Sequence, residues 1–452
     1  MFPSRRAVVC AAVVFQVALG GVYSWSVFAR ALQRPGSGFG LGHAEAVLPF
    51  SVAIGVVFVG TTLGGRLQDR RGPRAAALLG GALYSLGALL ASLATGADRL
   101  WLLLLAYGVV GGLGLGIAYI VPVAMLQKWF PERRGLITGI AVGGFGFGAV
   151  LVSPVAQWLV DHGHGPPTRA FLPLGLAYLV LTTFSALLFR NPPRPGGLAR
   201  TRAARSGLGG AARSGAGWDA GVGGRRAGGR PGGGAAGADR SGGDLTCAAA
   251  LRTRQWYLLT AMLTLNTVSG IGFVAVTAGA AGSITGMGPA GAAALTGGMG
   301  LANGGGRVLW GWLSERLGRM RTFALILALM GLCLLAVPYA TSPVLFVPLA
   351  AVVFASFGGG YAVMPATTAD FFGLAHAGAI YGLMNVAWSI GGVVGPLLVA
   401  ALVSGGDYRT AFMALGALAL AATALPALTR PPGRRRAHRR VLPPLRVLER
   451  VG

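Results

Sequence analysis

Apolar residues run through this chain in long blocks, separated by short stretches that hold nearly all the charge. A helix of roughly 20 apolar residues covers the ~30 Å of a bilayer's hydrocarbon. Such blocks fall at 7–29, 45–65, 75–96, 99–127, 135–160 and 169–190, and again at 255–282, 290–311, 322–341, 343–368, 377–403 and 409–429. The shorter alternating segments of a membrane barrel, about ten residues each, are missing. The pattern predicts an all-α membrane protein of about twelve transmembrane helices in two six-helix halves. The halves are 1–190 and 253–430. The first apolar run follows Arg5 and Arg6 and continues to Ala29, so it reads as an uncleaved helix rather than a signal peptide.

Residues 191–252 are Gly, Ala and Arg with scattered Ser. That composition buries too little apolar surface to fold alone and predicts a disordered cytoplasmic linker. Residues 431–452 form a basic tail suited to an anionic lipid surface.

Only 11% of residues are charged, yet the net charge is +26. In a soluble protein that excess would suggest nucleic acid. Here Arg66, Arg70, Arg71 and Arg74 follow span two, Lys128, Arg133 and Arg134 follow span four, and Arg316, Arg319 and Arg321 follow span eight. The positive-inside rule puts these, both termini and the linker on the cytoplasmic side of the plasma membrane, with the lipid bilayer as partner and no nucleic acid. Arg30, Arg34, Arg99 and Arg409 fall on the other side. Cys10, Cys247 and Cys333 have no metal or disulfide spacing, and the single lysine, Lys128, follows Gln127, so no phosphate-binding loop is formed. His162 and His164 have metal spacing but read more simply as flanks of an outer loop. No metal, cofactor or enzymatic chemistry is expected.

Arg307 breaks the pattern. It lies inside span eight, about two turns before the basic loop. A charge at the centre of a spanning helix costs roughly 2.5–3.5 kcal/mol on insertion scales. Two readings compete: a site for an anion, held by a bidentate guanidinium, or an arginine snorkelling to the interface. No acid falls in the middle of a span, which removes the usual buried proton-binding carboxylate and favours exchange of anions, with a proton carried on the substrate as the alternative.

The halves repeat. Gly65-Arg-Leu-Gln-Asp69-Arg70-Arg-Gly72-Pro-Arg74 follows span two, and Gly311-Trp-Leu-Ser-Glu315-Arg316-Leu-Gly318-Arg319 follows span eight. Tyr119-Ile-Val-Pro122 has an echo in Tyr361-Ala-Val-Met-Pro365. Repeated halves around a midplane site are the plan of many secondary transporters.

On these residues the chain resembles the major facilitator superfamily, whose best-known loop motif matches Gly65 to Arg74 and, more weakly, Gly311 to Arg319. Leu19-Gly-Gly-Val-Tyr23-Ser-Trp25-Ser-Val-Phe28, Lys128-Trp-Phe-Pro-Glu-Arg-Arg-Gly135, Tyr381-Gly-Leu-Met-Asn-Val-Ala-Trp388 and Gly395-Pro396 narrow the resemblance to the oxalate/formate antiporter family, related to monocarboxylate transporters. The resemblance implies a major facilitator fold and a transporter of small organic anions working by alternating access, with a small carboxylate as substrate and a monomer as the working unit. It matches Arg307 to the family's helix-eight arginine. The helix-eleven lysine of oxalate carriers is Trp388 here, and the aspartate that monocarboxylate relatives place one turn before the arginine is Asn303.

Tyr23, Trp25, Tyr119, Asn303, Tyr361, Asn385 and Trp388 are the candidate cavity wall beside Arg307; helix-to-helix contacts or lipid-facing aromatics are the plainer reading of any one of them. Asn266 belongs to the same set of interior amides. Gly65, Asp69, Arg70, Gly72 and Arg74, with Gly311, Glu315 and Arg316, are the candidate gate, where Asp69 would accept from a helix N-terminus or an arginine, unless the loop is only a positive anchor. The glycine series Gly112, Gly114, Gly116 and Gly144, Gly146, Gly148 predict close helix packing. An exporter of apolar compounds, with Arg307 merely snorkelling, and a carboxylate-binding membrane sensor are the alternatives.

Overall fold

The computed structural model describes residues 4–192, 244–403 and 407–431. All regular elements among them are helices. The long ones are α1 (Arg5–Gln33), α2 (Glu45–Arg71), α3 (Pro73–Ala91), α4 (Ala97–Trp129), α5 (Arg134–His162), α6 (Pro167–Leu187) and α7 (Arg254–Thr285). They continue as α8 (Pro289–Leu317), α9 (Arg319–Tyr339), α10 (Pro343–Phe372), α11 (Ala377–Leu402) and α12 (Arg409–Leu428). Eleven of these are long and apolar enough to cross a membrane. The remaining one, α8, has 29 residues but is rich in glycine and carries Arg307.

The helices overrun the apolar blocks at the basic end. Span two was expected to stop at residue 65, but α2 continues through Gln68, Asp69 and Arg70 to Arg71. Gly72 then ends it with φ +87°, and Gly318 ends α8 in the same way with φ +89°. Only glycine takes that conformation freely, so the last glycine of each repeated motif is a helix stop. The motif is therefore the end of one helix, its glycine stop and the start of the next, rather than a loop.

Glycine also sets how the halves meet, which is through α5 against α8 and α2 against α11. A Cβ on Gly139 would strike the Arg307 backbone, and one on Gly146 would strike Gly304. Gly65 abuts Gly378, and Gly382 abuts Thr61, whose hydroxyl donates to the Gly382 carbonyl (2.8 Å). In lipid, where apolar side chains gain nothing by leaving a like solvent, such close backbone contact is a main source of helix association.

Three helices are irregular at depth: α1 at the 3₁₀ turn Gly21–Ser24, α4 at the π-helical stretch Leu104–Gly111, and α11 at Asn385, between the segments Ala377–Met384 and Val386–Leu402.

The expected linker is shorter than 191–252. Residues 244–252 belong to the folded second half: Leu245 donates to the Phe372 carbonyl (2.8 Å), and Leu374 donates to Asp244 (3.1 Å). Thr246 caps the short turn Cys247–Ala250. Composition concealed this, because a single Asp and Thr at the right places supply the caps. The expected disorder of 193–243 and the tail beyond 431 lie outside the described residues.

A candidate anion site between the halves

Arg307 is 2% exposed. Its Nε donates to Asn303 Oδ1 (3.1 Å), one turn earlier on α8, and Nη1 donates to the Val142 carbonyl of α5 (3.0 Å). Asn303 in turn donates to the Phe354 carbonyl of α10 (3.1 Å). The guanidinium therefore turns back toward the middle of α8, away from the basic end where a snorkelling arginine would reach. Gly358 on α10 makes room for it, since a side chain there would meet the Arg307 stem and the Asn303 carbonyl.

Aromatic rings surround the charge. The guanidinium carbon lies 5.5 Å from the Phe145 ring centre and 5.9 Å from that of Tyr361. Trp388 packs against Tyr119, Phe145 and Tyr361 at centroid distances of 5.3, 5.6 and 5.5 Å. Tyr23 stands edge-on to Phe145 at 5.3 Å. The Tyr361 hydroxyl bonds to Thr267 (2.8 Å). Six helices, α1, α4, α5, α8, α10 and α11, thus converge on one cation.

None of the ion pairs among the described residues involves Arg307. Its charge is met by one amide oxygen, one carbonyl, the hydroxyls of Tyr23 and Tyr119 and ring faces. Ring faces give about 0.5–2 kcal/mol each as water is excluded. A buried charge costs several kcal/mol without a counter-charge. The fork keeps donors beyond those on Asn303 and Val142, which suits it to a carboxylate.

Of the predicted wall, Tyr23, Tyr119, Asn303, Tyr361 and Trp388 come together around Arg307. Asn303 acts as its positioning partner. Asn385 lies on α11 one turn before Trp388 and is fully buried. Asn266 donates to the Phe357 carbonyl (3.2 Å), between α7 and α10. Trp25 lies elsewhere: its Nε1 donates to the Ala46 carbonyl (2.9 Å), and its ring packs on Tyr107 inside the first half. Two residues apart on a helix, the Tyr23 and Trp25 side chains point to opposite sides, so only Tyr23 meets Phe145.

The sequence reading missed Phe145, the Val142 carbonyl, Thr267 and Tyr381. Phe145 had a signal. It is flanked by Gly144 and Gly146, and Gly146 and Gly148 bring α8 and α1 close, leaving Phe145 as the large group on that turn.

At the basic end, Asp69 accepts from the Ala379 amide at the start of α11 (3.3 Å), with Lys128 Nζ at 3.7 Å. Glu315 accepts from the Leu136 amide at the start of α5 (2.9 Å). Each acid thus reaches across to the other half. Asp370 bonds to both Arg134 (3.0 Å) and Arg319 (2.9 Å). Gly65 and Gly311 are contact points between halves, on Gly378 and Gly135. Arg70 and Arg74 are exposed, and Arg316 lies over the Trp312 ring at 4.1 Å. His162 stacks on Trp158, and among the described residues no group of three metal-ligating side chains occurs. Two cavities, one lined by Tyr84, Tyr107 and Tyr178 and one beside His164 and Pro166, are not lined by Arg307.

The family model of the Major Facilitator Superfamily matches residues 7–281 and 257–448. The chain is 27% identical over 433 residues to the oxalate:formate antiporter of Oxalobacter formigenes, covering 93% of this chain and 91% of that one. It is 26% identical over 386 residues to the uncharacterized MFS-type transporter YhjX of Escherichia coli, covering 84% of each. A shorter stretch of 112 residues is 37% identical to monocarboxylate transporter 13 of Bos taurus, covering 25% of this chain and 26% of that one. In fold it is similar to the proton:xylose symporter XylE, with TM-score 0.66 at 14% identity over 93% of this chain and 94% of the other. The twelve long helices, the repeated helix-end motif and these matches agree: the chain belongs to the Major Facilitator Superfamily, as a multi-pass membrane transporter and not an enzyme.

Proposed function

We propose that the chain is a secondary transporter of small monocarboxylates, exchanging one anion for another by rocking its halves about the Arg307 site. The observation that carries this reading is a buried guanidinium between the halves, ringed by aromatics, with no carboxylate paired to it among the described residues. Likeness to the oxalate:formate antiporter and to monocarboxylate transporter 13 supports the choice of small organic anions.

The charge count supports a monoanion. One guanidinium neutralises one carboxylate, and a dianion such as oxalate would keep a second charge away from water at a cost of several kcal/mol. Trp388 supplies a ring face where oxalate carriers resemble one another in having lysine. Among the described residues no acid sits at depth, which favours exchange over a protonated relay: Asp69, Asp161, Glu315 and Asp370 all stand in or near the last turns of their helices. Asp69 and Glu315 act as latches that hold the basic end closed, and both break when the halves rock. The working unit is one chain, in the plasma membrane, with the basic end and the linker in the cytoplasm.

The test is counterflow in proteoliposomes loaded with a monocarboxylate, with formate, acetate, pyruvate, lactate and oxalate as competitors. Uptake that oxalate inhibits more strongly than any monoanion overturns the one-charge reading. Uptake that none of the acids affects overturns the carboxylate reading.

A further inference from the structure

Pro122 lies inside α4, shortly after Tyr119. A proline there has no N–H to give the Ala118 carbonyl, and its ring crowds that carbonyl, so the helix bends and the turn before it is weakened. That turn carries Tyr119, whose hydroxyl bonds to Arg307 and Tyr381 of the other half. A tyrosine on a weakened turn holds a contact between halves only if its backbone is braced from outside the helix.

Two glutamines brace it. Gln16 of α1 donates from Nε2 to the Tyr119 carbonyl (3.3 Å), and Gln68 of α2 donates from Nε2 to the Val121 carbonyl (3.2 Å). They are 0% and 1% exposed. Among the described residues, each has an Oε1 with no hydrogen-bond partner. A buried oxygen left unpaired forfeits its hydration, and a long side chain held in one rotamer forfeits entropy. One net hydrogen bond does not offset both. Stability alone would favour an unbranched apolar side chain of the same length at either position.

The second half shows what such amides do. Asn266 of α7 and Asn303 of α8 donate to the Phe357 and Phe354 carbonyls of α10 (3.2 and 3.1 Å). In each half, then, the first and second helices each send one buried amide to the backbone of the fourth. Asn303 also accepts from Arg307, so in that half the bracing amide places a site residue. The levels differ. The second pair grips α10 about one and two turns before Tyr361, the echo of Tyr119. The first pair grips Tyr119 itself and Val121, at the proline bend.

We infer that Gln16 and Gln68 are positioning residues for substrate binding: they pin the bent turn of α4 to the first half and so hold the Tyr119 hydroxyl on the Arg307 guanidinium. This rests on the anion reading of Arg307. With the Tyr119 oxygen in place, the guanidinium is oriented from the first half as Asn303 orients it from the second, and the fork stays aimed at the carboxylate.

The experiment is a double-mutant cycle in proteoliposomes holding the full chain. The labelled probe is whichever of formate, acetate, pyruvate and lactate the unmodified protein exchanges fastest. Tyr119→Phe removes the hydroxyl and is expected to raise KM about fivefold, the worth of one hydrogen bond. Gln16→Met and Gln68→Met keep the length of the side chain and remove the donor. Each is expected to raise KM about threefold, with kcat within about twofold. Added to Tyr119→Phe, each is expected to change KM by less than about 1.5-fold, because the hydroxyl it places is gone. The thermal unfolding midpoint of each glutamine variant is expected to hold or rise, since an unpaired buried oxygen is removed. Unchanged KM in both glutamine variants overturns the inference. So do effects that multiply with that of Tyr119→Phe, and so does failure of both variants to fold, which marks the amides as structural. No uptake of any of the four acids, with Arg307→Ala indistinguishable from the unmodified protein, overturns the Arg307 reading and this one together.

Discussion

Asp69 at the end of α2 and Glu315 at the end of α8 occupy equivalent places in the two halves, and each accepts from the backbone at the start of a helix in the opposite half. Their surroundings differ. Beside Glu315, Asp370 of the second half bonds to Arg134 of the first, and Arg319 braces both Asp370 and Ser314. Beside Asp69 there is Lys128 of its own half and no second carboxylate bridge between halves among the described ion pairs. The centre is unequal in the same sense. The second half gives the charge, the amides and the indole: Arg307, Asn303, Asn385 and Trp388. The first half gives the Phe145 and Tyr119 rings and the Val142 carbonyl. Both copies thus carry an acid that bonds across to the other half, while most of the polar groups around Arg307 come from the second.

Breaking the centre has the largest expected effect. Arg307→Ala removes the one central charge and is expected to lower carboxylate kcat/KM by about 100-fold or more, in the range for removing a buried charge partner. Arg307→Lys retains part of it, since a point charge replaces a bidentate fork. Transport by Arg307→Ala at the unmodified rate would return Arg307 to the role of a structural residue.

Trp388→Lys tests whether the second half alone sets the charge of the substrate. The added ammonium is expected to move preference toward oxalate by about tenfold or more, read as the ratio of oxalate to lactate competition. A folded Trp388→Lys variant that still ignores oxalate would place the choice elsewhere.

On the first half, Phe145→Leu removes a ring face and leaves the charge. The expected cost is about 1 kcal/mol in substrate binding, or roughly fivefold in KM. A loss as large as that of Arg307→Ala would mean that the first half contributes more than shape.

The latches sharpen the comparison further. Asp69→Asn is expected to slow exchange by about tenfold, as a charge-assisted hydrogen bond is lost with nothing behind it. Glu315→Gln is expected to cost only about two- to threefold, since the Asp370 bridge persists. Adding Asp370→Asn to Glu315→Gln should bring the second latch to the level of the first. Labelling of a cysteine placed on the basic face, in each variant, reports whether closure is what changed.

The smallest effect belongs to the linker. Deletion of residues 200–240, with 244–252 retained, is expected to leave transport within about twofold, because joining two halves needs only enough chain to reach. Cutting into Asp244 or Thr246 should do more damage, as these cap ordered backbone on the second half.

The sequence by itself determined the number and place of the spans, the repeat of the halves and the singular position of Arg307. Those features follow from hydropathy, length and charge, which act locally and are visible residue by residue. For Asp69 the sequence left two partners open, a helix start or a neighbouring arginine, and the fold brings it the Ala379 amide and Lys128. What only the tertiary structure decided is which side chains share the space around Arg307. Tyr23 and Trp25 are two residues apart and so face opposite sides of α1, and only the packing decides that the Tyr23 side is the one that meets Phe145. Phe145 enters the site because glycines on either side let two other helices close in. Tyr381, Asn385 and Trp388 share one stripe of α11 by their spacing, and the packing of α2 on the other flank decides which way that stripe faces. Each depends on contacts between residues on different helices, and periodicity along one helix carries no information about its neighbours.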